Sequence, residues 1–283
     1  MKNLVLTALM LGMLASLPAR ADDRLARAQA AFDAGAFETA ADLGRASDTA
    51  DGLSLACRSG LIRGGWQTEG PEMVTILHQA IRDCENAVIK EPTHLVGKLS
   101  LALAVGFEGK RRKKAGYADA AKDHLKTLVQ LYPDHPDPWG ALAGWHAEVS
   151  KEGFMARLVL GARPSKAHEF FETALKKGSV DGPFMLEYCK FLARLGPVEQ
   201  MIAESHLNTM LEKPAHTALL KIVRGKARKL KEALASGKKT RIADAIEAAS
   251  AFPDIEKHDK VADTLDLKDL PEPPESALAK DAL

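Results

Sequence analysis

The sequence predicts an all-α chain, built as an α-α superhelix of about five stacked helix hairpins with a capping helix at its C-terminal end. Three observations predict it. Aromatic residues make up only 5% of the chain while alanine and leucine abound, a mixture that favours helix, because strands draw on β-branched and aromatic side chains. Small residues recur at a fixed helical spacing that a proline then closes, as in Ala80, Cys84, Ala87 and Pro92, and again in Ala121, Leu125, Leu128 and Pro133. Pro71, Pro138 and Pro197 stand at helix starts, where the first turn has no use for an amide donor.

The chain opens with a short positive region at Lys2, an apolar run from Leu4 to Leu17, a break at Pro18 and the small-x-small sequence Ala19-Arg20-Ala21. This is the pattern of a cleavable signal peptide over residues 1–21, cut before Asp22. The run is shorter than the roughly 18–20 residues that span a bilayer. No cysteine follows it, which argues against a lipid anchor. A periplasmic or secreted mature chain is therefore expected, and no segment of that mature chain is apolar enough to cross a membrane.

Helices are then expected in order over Asp22–Ala34, Phe37–Ser47, Ala50–Arg63, Pro71–Lys90, His94–Glu108, Tyr117–Tyr132, Pro138–Lys151, Ser165–Lys177, Gly182–Leu195, Pro197–Glu212 and Ala215–Ala235. Second helices of hairpins carry the small-residue seam, at Ala80, Ala87 and Pro92, at Ala121, Leu125 and Pro133, and at Ala167, Phe171 and Ala174. Fainter copies stand at Ala40, Gly44 and Ser47 and at Ala203, Leu207 and Met210. The first-helix signature is clearest at Trp139, Leu142, Ala143 and His146, just after Pro133. Spacing between seams drifts, and two stretches, "GFEGKRRKKAG" and "KEGFMARLVLGARPS", are expected as lengthened loops. In the last long helix Val223, Ala227, Leu230 and Leu234 make an apolar stripe, beside a basic one of Lys221, Arg224, Arg228 and Lys231. A helix with one wet face is what the end of a solenoid requires. The repeat domain thus covers residues 22–236. Residues 237–283 hold a weaker helix near Arg241–Ala251 and, from Lys257, an acidic, proline-rich stretch expected to be mobile.

These residues resemble the tetratricopeptide superfamily over most of Asp22–Leu211. The order of elements from Asp134 to Gly196 is similar to repeat proteins of the regulator of microtubule dynamics type, and to the periplasmic T-component subunits of tripartite transporters. The resemblance implies a helical superhelix whose inner groove, lined by first helices, binds peptides or protein partners. Groove positions of the Trp139 helix are Gly140, Gly144 and Ala147, so the Asn and Lys pair that clamps a terminal carboxylate in chaperone-binding members is absent there.

Catalytic chemistry finds no support. There is no G-x-S-x-G, H-E-x-x-H, P-loop or dinucleotide fingerprint, and nothing implies a cofactor or a metal. His135 and His146 are too far apart for one metal site on one helix, and His146 takes a place where such repeats pack an aromatic ring. The net charge of +1 gives no pull toward nucleic acid. Cys57 and Cys84 fall on partner helices of one hairpin. Export would oxidise them to a disulfide, the alternative being two small buried apolar side chains. Cys189 is expected buried and unpaired. Lys110, Arg111, Arg112, Lys113 and Lys114 form the sharpest charge feature. Their mutual repulsion predicts a solvated loop, open to anionic lipid headgroups, to an acidic partner or to the chain's own tail.

The function expected is a non-catalytic protein-interaction scaffold of the cell envelope, its partner unidentified. The alternative is an accessory ligand- or partner-binding subunit of a periplasmic solute transporter. An open groove would favour the first, and a closed pocket of several hundred cubic ångströms the second. Trp145 and Phe154 are either a pocket wall or packing between repeats.

Overall fold

A computed structural model describes residues 17–179 and 182–261. Among these residues every regular element is helical. The first hairpin joins α1 (Leu17–Ala34) to α2 (Phe37–Ser47), the second α3 (Ala50–Trp66) to α4 (Glu72–Lys90), and the third α5 (Leu95–Arg112) to α6 (Ala115–Leu131). The fourth pairs α7 (Pro136–Lys151) with α9 (Pro164–Lys176) around the short α8 (Phe154–Leu160). The fifth joins α10 (Gly182–Ala193) to α11 (Pro197–Glu212). Then α12 (Ala218–Ala235) packs on α13 (Lys239–Ala249), and a 3-10 turn follows at Ile255–His258.

The seam residues explain the stacking. Ala80, Ala87, Ala121, Leu125, Leu142, Ala143, Ala167, Phe171 and Ala174 are all buried, and small side chains there let neighbouring helix axes approach. The tightest crossing joins α2 to α3, where a Cβ on Gly44 would stand 2.4 Å from the Gly52 carbonyl oxygen. First helices also pack on one another, α1 on α3, α3 on α5 and α5 on α7. Each hairpin thus buries its apolar stripe against the next, as a solenoid must. Turns within hairpins line one edge of the stack, and turns between hairpins line the opposite edge.

Three expectations need correction. The stretch around Lys110–Lys114 is not a lengthened loop, because α5 runs through Arg112 and ends only where Lys113 turns left-handed at φ 52°. Cations in a last turn are favoured by the helix dipole, and that outweighs their mutual repulsion here. The second stretch contains α8, bounded by Gly153 at φ 101° and Gly161 at φ 71°, conformations that glycine adopts without strain. The tail expected to be mobile from Lys257 is docked as far as Val261, and Phe252 and Ile255 ahead of it are fully buried. The remainder, residues 262–283, lies outside the described residues, as does the expected signal peptide as far as residue 16.

The stack also closes on itself. Ala218, Leu219 and Ile222 of α12 pack on the cluster of Ala28, Phe32, Phe37 and Leu55 in the first hairpins. The expected apolar stripe of α12 is buried, Val223, Ala227 and Leu230 completely.

Candidate functional site

In a helical stack of this kind the face made by first helices is where recognition is expected, and here the chain's own C-terminal segment covers it. The Phe252 amide donates to the Gly65 carbonyl of α3 at 2.9 Å, and its ring fits over Gly64 and Gly65 and against Phe107, 4.8 Å between centroids. From α5, Lys110 reaches the Phe252 carbonyl at 3.3 Å and the carboxylates of Glu247 at 3.5 Å and Glu256 at 3.7 Å. Arg111 Nη1 donates to the carbonyls of His258 at 3.1 Å and of Asp259 and Val261 at 3.3 Å. Lys151 of α7 meets Glu247 at 3.9 Å.

Arg111 is fully buried, which requires a counter-charge. Glu108, one turn earlier, supplies it: Arg111 Nε and Nη2 donate to its two oxygens at 2.9 and 2.6 Å. Arg112 Nε and His78 Nε2 join the same carboxylate. Burial alone would raise the Glu108 carboxyl, but hydrogen bonds from Arg111, His78 and Arg112 prevail and hold it down at about 2. The basic run therefore divides. Lys110 and Arg111 hold the C-terminal segment, Arg112 folds onto Glu108 and over the Tyr117 ring, and Lys113 and Lys114 are exposed at the turn. Glu108 and His78 are the members that sequence reasoning missed. Their signal was there: Glu108 precedes Arg111 and Arg112 by three and four residues, the spacing of helical ion pairs.

The other expected residues fall as follows. Cys57 and Cys84 are joined as a disulfide, S–S 2.04 Å, between α3 and α4. Cys189 is buried in α10, and burial pushes its thiol up to about 12, which leaves it without nucleophilic thiolate. Pro92 and Pro133 sit in exposed turns between hairpins, and the Trp139 indole donates to the Pro133 carbonyl at 2.9 Å. His146 is buried among Trp145 and Phe170, and its Nδ1 accepts the Arg163 amide at 3.2 Å. Burial first, then the cations of Lys122, Lys166, Arg163 and Lys126, lower it to about 4. Trp145 packs between repeats, donating to the Ala118 carbonyl at 2.8 Å, whereas Phe154 is 68% exposed. The two do not form a pocket wall.

A hollow of about 430 Å³ is an open cleft between α1, α3 and the start of α5. Asp51, Ser54, Arg58 and His94 line it with Leu25, Leu55 and Val96. Ser54 Oγ is buried there without a hydrogen-bond partner. The imidazole of His94 cannot serve it as a base, since Nε2 bonds Asp51 at 2.9 Å and Nδ1 accepts the Gly97 amide at 3.0 Å. Among the described residues no group of three His, Cys, Asp or Glu is placed to hold a metal ion, and no helix is long and apolar enough to cross a membrane.

No protein-family profile matches the chain, and no curated protein matches it. Among solved structures it is similar to a thermophilic TPR protein of Thermus thermophilus, with a TM-score of 0.53 and 15% sequence identity over 74% of this chain and 98% of that one. At that identity the similarity speaks for the fold: the chain has a tetratricopeptide-like all-α superhelix.

Proposed function

We propose that the protein is an exported, non-catalytic interaction scaffold of the cell envelope. The fold suggests protein partners. The observation that carries the reading is the first-helix face of the stack, where Lys110 and Arg111 already grip main-chain carbonyls and carboxylates of a peptide segment. The surface is thus competent for an acidic peptide in a turn and 3-10 conformation, and the chain's own segment occupies it. Export is supported by the buried Cys57–Cys84 bridge, which persists in oxidising compartments and is rare in reducing ones. Cell fractionation with mass spectrometry tests export: the chain should be found outside the cytoplasm, beginning at Asp22 and lacking thiols at residues 57 and 84. Recovery in the cytoplasm with both thiols free refutes it. For the scaffold, cross-linking in envelope extract should give one saturable protein partner. A cross-link pattern identical to that of an unrelated exported protein refutes it.

The cleft at Ser54 favours a second reading, an accessory subunit that also holds a small solute. Its volume lies in the range of small-molecule sites, and Ser54 Oγ and Arg58 offer polar groups over an apolar floor. A thermal-shift survey of amino acids and small carboxylic acids checks it, with Ser54→Val as control. A survey without any Ser54-dependent shift removes it.

A further inference from the structure

We infer that the edge of the stack formed by turns within hairpins three to five docks on an anionic lipid surface. The fold brings three turns to that edge. The turn between α5 and α6 shows Lys113 and Lys114 to solvent. The next contains α8, where Phe154, Met155, Leu158 and Val159 are 68%, 66%, 65% and 67% exposed. The third opens α11, where Val198 and Met201 are 66% and 70% exposed. Positions 154, 155, 158 and 159 share one face of α8, so this is a continuous apolar ridge.

Such a ridge on an otherwise water-soluble surface marks an interaction site, and its charge selects the occupant. Arg157 within α8 and Arg163 just beyond it are exposed, Lys122 donates to the Leu160 carbonyl at the C-terminal end of the helix, and Lys113 and Lys114 stand in the preceding turn. Acids in the three turns are only Glu152 and Glu199. The opposite edge is mixed in charge: Asp48, Glu91 and Asp134 are exposed in turns between hairpins, Asp51 and Asp137 in the helix turns that follow them, and Lys90 and Lys177 pair with Asp48 and Asp134. The edge formed by hairpins three to five is thus apolar and cationic, and the opposite edge neutralises part of its own charge. A rim that joins exposed apolar side chains to cations is what a peripheral protein presents to negative headgroups. A second copy meeting the ridge about a two-fold axis would set Arg157 and Arg163 against their own copies. Leu160 is the buried side chain of α8, and the apolar face opposite it is left open to a deformable bilayer. The inference concerns a different surface from the peptide-binding face, so either can fail alone.

Co-sedimentation with vesicles tests it, using the purified full chain after removal of the leader. Vesicles of phosphatidylcholine mixed with phosphatidylglycerol should bind the protein in a salt-sensitive way, and pure phosphatidylcholine vesicles at least about tenfold less. Replacing Leu158 and Val159 by Glu, or Arg157 and Arg163 by Glu, should each lower partitioning by about tenfold or more. These side chains are exposed, so circular dichroism and melting should be unchanged, which separates lost docking from lost folding. Asp134→Asn with Asp137→Asn, on the opposite edge, should leave binding unaffected or stronger. Phe154→Trp adds a local probe whose emission should move to the blue on anionic vesicles. Absence of binding, equal binding to neutral vesicles, or full binding by the Glu variants overturns the inference. So does concentration-dependent self-association of the free protein that Leu158→Glu abolishes.

Discussion

At the scale of single residues, the buried charges dictate how the protein responds to acid. Glu108 is held at about 2, below its ordinary 4.5, so its contribution is complete above pH 4.5 and is lost as pH falls toward 2. Removing it costs more than its protonation. Glu108→Ala leaves Arg111 buried without its carboxylate and should destabilise by roughly 3–5 kcal/mol, read as an earlier midpoint in urea. The histidines act at higher pH. His146 and His124 are both lowered from 6.5 to about 4, burial first in each, then cations, among them Lys98 for His124. Each is neutral in the fold while the unfolded chain takes up a proton, so stability should decline as pH falls from 6.5 to 4. The loss for His146 should be about 3 kcal/mol by the lower end. His146→Phe preserves the ring packing with Trp145 and Phe170 and removes the titration. Melting curves of this variant should show less loss across that upper window and an unchanged loss below it. An equal decline in both proteins would mean that His146 titrates normally.

At the scale of elements, the small-residue seams were legible because helix crossing imposes them. Ala80, Ala87, Ala121, Ala167 and Ala174 could be placed from spacing alone, and all five are buried where helices meet. Hairpin geometry put Cys57 and Cys84 within reach of each other, with two buried thiols as the alternative, and the structure joins them. The bridge closes a loop of 27 residues, and in the chain-entropy picture it stabilises by about 3–4 kcal/mol. Reduction, or Cys57→Ala with Cys84→Ala, should lower the melting temperature by roughly 10 °C. No change on reduction would show that the hairpin holds without it. What could not be read is the fate of Lys110–Lys114. Charge repulsion within a segment is a local signal, whereas the carbonyls that satisfy Arg111 come from His258, Asp259 and Val261, nearly 150 residues away. The α8 helix was hidden for a different reason. A seven-residue run between glycines, apolar but for Arg157, has no amphipathic period long enough to separate helix from loop.

For the whole molecule, the decisive feature is closure: α12 returns to α1, and the segment after α13 seals the face of first helices. Nothing in a repeat pattern announces this, because Phe252 and Ile255 lie in a stretch without periodicity. Their burial nevertheless makes the segment part of the core. Phe252 adopts φ 51°, a left-handed conformation that an aromatic residue holds only when packing fixes it. Phe252→Ala should therefore cost about 3–5 kcal/mol. A chain ending at Val261 should melt within about 2 °C of the full chain, since every described contact of the segment survives. A chain ending at Ser250 loses Phe252 and Ile255 and leaves Arg111 facing an open groove, so it should melt far lower and be cut readily by protease near α5. The separate peptide Ala251–Val261 should then raise the melting temperature of that shortened chain as its concentration rises, by the ordinary linkage of binding to folding. If it does, the same groove is available to any acidic peptide that can outcompete the chain's own segment, and Arg111→Gln should weaken the response. If the chain ending at Ser250 is as stable as the full one, the segment is only resting on the face, and the groove is free without displacement.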